Sequence, residues 1–139
     1  MKNIAIRENH LYSKAYRQGK RFVGKYTAVY VLRDYAAAKL KNENPQKVFV
    51  NRLGLTVSKK IGGAVERNRA KRIIRAAYNA EREGLKTGFL IVISAREAIN
   101  GAKSTDIERE LEFAFSKLEM QKADKSAAIR AHDAQNNRS

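Results

Sequence analysis

The densest chemistry in the chain lies between Lys59 and Arg75. The segment reads Lys59-Lys60-Ile61-Gly62-Gly63-Ala64-Val65-Glu66-Arg67-Asn68-Arg69-Ala70-Lys71-Arg72-Ile73-Ile74-Arg75, seven cations against one anion in 17 residues. On a helix advancing about 100° per residue, Arg67, Lys71 and Arg75 align, with Asn68, Arg72, Asn79 and Arg82 beside them. Ala70, Ile73, Ala77 and Ala80 take the other side, so one face is cationic and one apolar. Like charges four residues apart repel, and such a row calls for a partner that neutralises it. Phosphates do so, and the counterions they release make affinity fall steeply with salt. Arg predominates over Lys, which suits bidentate phosphate contacts. The alternative is a merely solvated basic face. Against it stand Gly62 and Gly63, which permit a sharp turn or close backbone approach, and the amides of the helix start, a further anion site. Arg69 falls toward the apolar side, where it snorkels at the helix edge or marks a twisted first turn.

Other chemistry is scarce. The absence of Cys removes disulfides, thiol nucleophiles and thiolate zinc sites, and fits a reducing interior. His10 and His132 sit in no catalytic constellation and read as solvated surface residues. Glu108, Glu110, Glu112 and Glu119 read as the solvent face of a final helix. No catalytic or metal-ligating set is therefore expected of the protein itself. The 29 Lys and Arg against 14 Asp and Glu, a net charge of +15 and a pI near 10.3 point to a polyanionic partner: nucleic acid or, less often, an anionic membrane. Met1 to Glu8 lacks the apolar run of a signal peptide, and Phe89 to Ala95 is too short to cross a bilayer. The expectation is a soluble cytoplasmic protein with no membrane partner.

The elements that must position these residues follow from periodicity. Glu8 to Gln18 carries Leu11, Tyr12, Ala15 and Tyr16 at helical spacing, with Gly19 placed for a left-handed cap. Tyr26 to Arg33 is aromatic and β-branched and reads as a strand. Asp34 to Lys47, with Asn42, Asn44 and Pro45, reads as a long connection to a second strand, Val48 to Ser58, in which Gly54 hints at a bulge or a split. The basic helix spans Ala64 to Glu83, closed by Gly84 and Gly88, and Phe89 to Ala95 forms a third strand. Thr105-Asp106-Ile107-Glu108 has capping-box form, opening a helix with the stripe Ile107, Leu111, Phe115 and Leu118 that lasts to about Lys122. Strand, helix, strand implies a parallel pair with a crossover helix. The fold expected is an α/β (α+β) two-layer sandwich, a small mixed sheet with a basic crossover helix. Residues 1–122 form a single domain, and 123–139 a polar basic tail, disordered or a frayed helix.

The ordered run Val57-Ser58-Lys59-Lys60-Ile61-Gly62 followed by Arg67-Asn68-Arg69-Ala70-Lys71-Arg72-Ile73-Ile74-Arg75 resembles the signature of the bacterial ribonuclease P protein component. The resemblance extends from about His10 to Leu118, through Gly19, Arg52, Gly54 and the strand ending at Ala95-Arg96. It implies a ribonucleoprotein endonuclease that removes the 5′ leader of precursor tRNA, its RNA subunit performing hydrolysis with bound magnesium. The protein would bind no cofactor alone and would act as a monomer within the holoenzyme, with the catalytic RNA and precursor tRNA as partners. It also implies a left-handed crossover, an exception to the usual preference.

Carried over by residue, the resemblance assigns Lys59, Lys60, Arg67, Asn68, Arg69, Lys71, Arg72 and Arg75 to the catalytic RNA, and Tyr12, Tyr16 and Tyr30 to the leader. Bases of a single strand stack on aromatic faces with little sequence preference. Each tyrosine has an alternative role as a core residue with its hydroxyl at the rim. Many members have Phe on the first helix where this chain has Tyr. Many also carry an acid entering the last strand, where this chain has Thr87-Gly88-Phe89-Leu90, so a metal or turn role tied to that acid is not carried over. The competing reading is a non-enzymatic RNA-binding protein of ribosomal type.

Overall fold

The computed structural model describes residues 4–122. Its sheet is organised around the most apolar run of the chain. Phe89–Ala95 is the central strand β5, and Leu90, Ile91, Val92 and Ile93 are all buried because both of its faces are covered. Thr27–Arg33 (β3) pairs antiparallel with β5, and Arg52–Thr56 (β4) pairs parallel with it. Short edge strands Ile4–Ala5 (β1) and Lys20–Val23 (β2) complete the order β1-β4-β5-β3-β2. Side chains alternate between two apolar clusters. Ile91 and Ile93 join Val29, Val31 and Leu53 under the helices Ala64–Glu81 (α3) and Ser104–Lys117 (α4). Leu90 and Val92 face the opposite way, toward Ile6, just after β1, and toward Ala15 of the first helix, Asn9–Gln18 (α1). The α/β sandwich with a mixed sheet is present, and α3 is the crossover between the parallel strands β4 and β5.

Several local expectations are corrected. The segment from Asp34 to Lys47 contains a helix, Ala37–Glu43 (α2), built from the strong helix formers Ala and Leu; none of its residues is buried, so no apolar period announced it. Strand β2, Lys20-Arg21-Phe22-Val23, is a polar edge strand with no strand signature of its own. Gly19 is extended, φ −72° and ψ 153°, because the chain enters β2 at once; a Cβ there would lie 2.5 Å from the Ala15 carbonyl oxygen. β4 runs through Gly54 without bulge or split, in continuous register with β5. On α3 the buried positions are Ala70, Ile74, Ala77, Tyr78 and Glu81; Ile73 is only half-buried and Ala80 exposed. That rotation covers Tyr78 instead of Ala80, and so removes more apolar area from water. α3 ends at Glu81, and a 3-10 turn, Arg82–Gly84, follows.

The stripe Ile107, Leu111, Phe115 and Leu118 is buried as expected, joined by Ala114. The cap differs: α4 starts at Ser104, and the Asp106 carboxylate accepts the Lys103 amide at 2.9 Å in place of the Thr105–Glu108 pair. The helix ends at Lys117, and Glu119 takes a left-handed φ of 58°. Glu110 is not on the solvent face. Its carboxylate accepts the Tyr26 amide at 3.0 Å and the Thr27 hydroxyl at 2.7 Å, clasping the β2–β3 turn to α4. No helix among the described residues is long and apolar enough to cross a membrane. The tail 123–139, with His132, lies outside the described residues.

Candidate nucleic-acid interface

The basic segment begins where β4 ends. Lys59–Ile61 forms a 3-10 turn with Lys59 and Lys60 exposed and Ile61 buried as its anchor. Gly62 follows at φ +143° and ψ −158°, a conformation essentially closed to other residues, and redirects the chain into α3. Along α3, Asn68, Arg72 and Arg75 are exposed, while Arg67 and Lys71 are half-buried on the flank nearer the core. Arg69 is on the opposite flank. Its guanidinium donates to the carbonyls of Ala102 at 2.6 Å and Ile99 at 3.4 Å, so it fastens α3 to the 3-10 segment Glu97–Gly101. The sequence placed Arg69 at the apolar edge, and the structure supplies the carbonyls that hold it there.

The three tyrosines meet on the other side of the sheet. Tyr12 and Tyr16 are one turn apart on α1, and the Tyr16 and Tyr30 rings meet edge to face, 4.8 Å between centroids. The Tyr12 ring occupies the space where any other residue at 54 would have its Cβ, 2.5 Å from the ring. Burial raises the Tyr12 phenol above its ordinary value, so it stays neutral at working pH. Tyr12 and Tyr30 are half-buried and Tyr16 is 39% exposed, leaving aromatic surface open beside the sheet. The Tyr16 hydroxyl donates to the Thr56 hydroxyl at 3.0 Å, and Thr56 and Ser94 are joined at 2.5 Å.

Beyond Thr56 and Ser94, at the C-terminal ends of β4 and β5, lies a cavity of about 460 Å³ lined by Lys25, Ser58, Lys60 and Arg96, among others. Lys60 and Ile61 of the basic turn form one of its walls. A larger hollow of about 630 Å³ is lined mainly by apolar residues such as Leu40, Phe49 and Leu85; of the cations the sequence places on the basic side of the helix it receives Arg82, and it receives neither Tyr12, Tyr16 nor Tyr30. Among the described residues no three His, Asp or Glu side chains gather as a metal site. Thr56 and Ser94 were not singled out from sequence; they are ordinary polar residues at strand ends, and only the register Thr56↔Ser94 makes them neighbours.

The family model of ribonuclease P matches residues 1–119. The chain is 38% identical over 117 residues to the ribonuclease P protein component of Clostridium acetobutylicum, covering 84% of this chain and 90% of that one. The chain belongs to the ribonuclease P protein family. Solved ribonuclease P proteins share its fold. That of Staphylococcus aureus superposes with a TM-score of 0.68 at 24% identity, over 87% of this chain and all of that one. That of Thermotoga maritima gives 0.59 at 21%, over 80% and 92%.

Proposed function

We propose that the chain is the protein subunit of a tRNA-processing ribonuclease P, one copy binding the catalytic RNA through Lys59, Lys60 and α3 while the tyrosine surface receives the 5′ leader of precursor tRNA. The observation that carries this is the division of the two surfaces by the sheet: cations on α3, aromatics on the α1 side. Arg72 and Arg75, with Asn68 between them and the turn, offer phosphate donors on an exposed helix face. Tyr16 and Tyr30 offer stacking surface, and Lys25, Lys60 and Arg96 line the cavity at the ends of β4 and β5, where they could neutralise a leader backbone. Arg69 contributes by holding α3 in place rather than by direct contact. Hydrolysis belongs to the RNA with magnesium; the protein binds and orients.

The test compares cleavage of precursor tRNA by the matching RNA subunit alone, the protein alone and both, at low magnesium. The expected result is inactivity of the protein alone and strong enhancement of the RNA. Cleavage by the protein alone would overturn the division of labour, and absence of any effect on the RNA would overturn the assignment.

A further inference from the structure

Resting on the leader reading above, we propose that the hydroxyl cluster Tyr16–Thr56–Ser94 recognises a ribose 2′-hydroxyl of the leader, making this surface sensitive to sugar rather than to base identity. Three hydroxyls from α1, β4 and β5 converge: Tyr16 Oη to Thr56 Oγ1 at 3.0 Å, Thr56 Oγ1 to Ser94 Oγ at 2.5 Å, and Tyr16 Oη to Ser94 Oγ at 3.4 Å. Each hydroxyl carries one proton and two lone pairs. The two short bonds consume two of the three protons, one from Tyr16 and one from Thr56 or Ser94. The remaining proton, when on Ser94, has only the long 3.4 Å contact to Tyr16 within the cluster to turn to; when on Thr56, its two cluster contacts are already the short bonds from Tyr16 and Ser94, and several lone pairs stay open. No charged side chain takes part in these bonds.

What such a cluster recognises follows from its freedom. The Thr56–Ser94 bond runs in either direction, so the cluster presents a donor at one oxygen or the other. A site of this kind holds no fixed donor–acceptor pattern and discriminates poorly between base edges, which are read by fixed patterns. It pairs well with a group that is itself both donor and acceptor and free to rotate. The 2′-hydroxyl is that group, and it distinguishes RNA from DNA. The cluster adjoins the edge-to-face pair Tyr16–Tyr30, so a nucleotide stacked on the exposed Tyr16 ring brings its sugar within reach of the hydroxyls.

The experiment is a scan of single 2′-deoxy substitutions through the leader of precursor tRNA, with affinity measured for holoenzyme carrying the unaltered protein, Ser94→Ala or Thr56→Val. The expected result is one leader position where deoxy substitution weakens binding roughly two- to tenfold with the unaltered protein and has no further effect with either variant. Loss of the same size in all three proteins, or no sensitive position at all, overturns the inference. Tyr16→Ala, assayed on precursor and mature tRNA, separates this failure from that of the leader reading. Weakening confined to precursor upholds the leader reading whatever the scan shows, whereas equal weakening of both removes the leader reading and this inference with it.

Discussion

At the scale of the residue, Tyr78 and Gly54 carry the clearest consequences. Tyr78 is 2% exposed on the core side of α3, and burial pushes its phenol up to about 12, from 10.0. A phenol held neutral in the folded state contributes stability that is fully present below the unfolded value and is lost as pH rises toward the folded one. The chain is therefore expected to lose up to about 3 kcal/mol from this group between pH 10 and pH 12. Denaturant titrations of the unaltered protein and Tyr78→Phe across that range check it: their stability difference changes with pH only if Tyr78 is the source. Gly54 gives way to the Tyr12 ring, so Gly54→Ala is expected to displace that ring and cost about 1–3 kcal/mol. Urea unfolding measures the cost, and precursor binding should weaken with it. An unchanged midpoint would show that the ring moves freely.

At the scale of the element, α3 divides its cations by job. Arg72 and Arg75 are exposed, Arg67 and Lys71 line a flank, and Arg69 is held by the Ile99 and Ala102 carbonyls. Replacing Arg72 and Arg75 together by Ala is expected to make the log–log salt dependence of binding to the catalytic RNA shallower by about 1.5, the signature of two lost phosphate contacts. Titrations at several salt concentrations read that slope, and an unchanged one would place the RNA elsewhere. Arg69→Ala is expected to act on the fold, lowering stability by about 1–3 kcal/mol because two carbonyls lose their donor; a thermal melt detects it without RNA. Periodicity disclosed that α3 has a basic and an apolar face. Which of Ile73 and Ile74 is buried depended on the sheet and α4 packed beneath it.

At the scale of the whole molecule, the sheet separates the cationic helix from the aromatic surface. Residues on opposite faces with no shared partner contribute independently. The free-energy losses in precursor binding caused by Arg75→Ala and Tyr30→Ala are expected to add within about 0.5 kcal/mol in the double variant. Marked non-additivity in equilibrium binding to the holoenzyme would mean that one ligand segment touches both. The net charge of +15 belongs to this scale too, opposing self-association and attracting polyanions.

Sequence alone determined the parts whose signal is local and strong. The continuous apolar run of β5, the amphipathic stripe of α4 and the ordered basic signature are each written in consecutive residues, since helix and strand periods project directly onto the chain. The basic signature also indicated the family. Elements without such a period, the edge strand β2 and the surface helix α2, escaped because nothing in them is buried deeply enough to impose one. Tertiary structure alone decided the pairings across the fold. Gly54 is a glycine because of Tyr12, Glu110 is a clasp because of Tyr26 and Thr27, and Thr56, Ser94 and Tyr16 form a cluster because two parallel strands and a helix end together. Each depends on residues about 40 or more positions apart, where spacing along the chain carries no geometric information until the sheet sets the register.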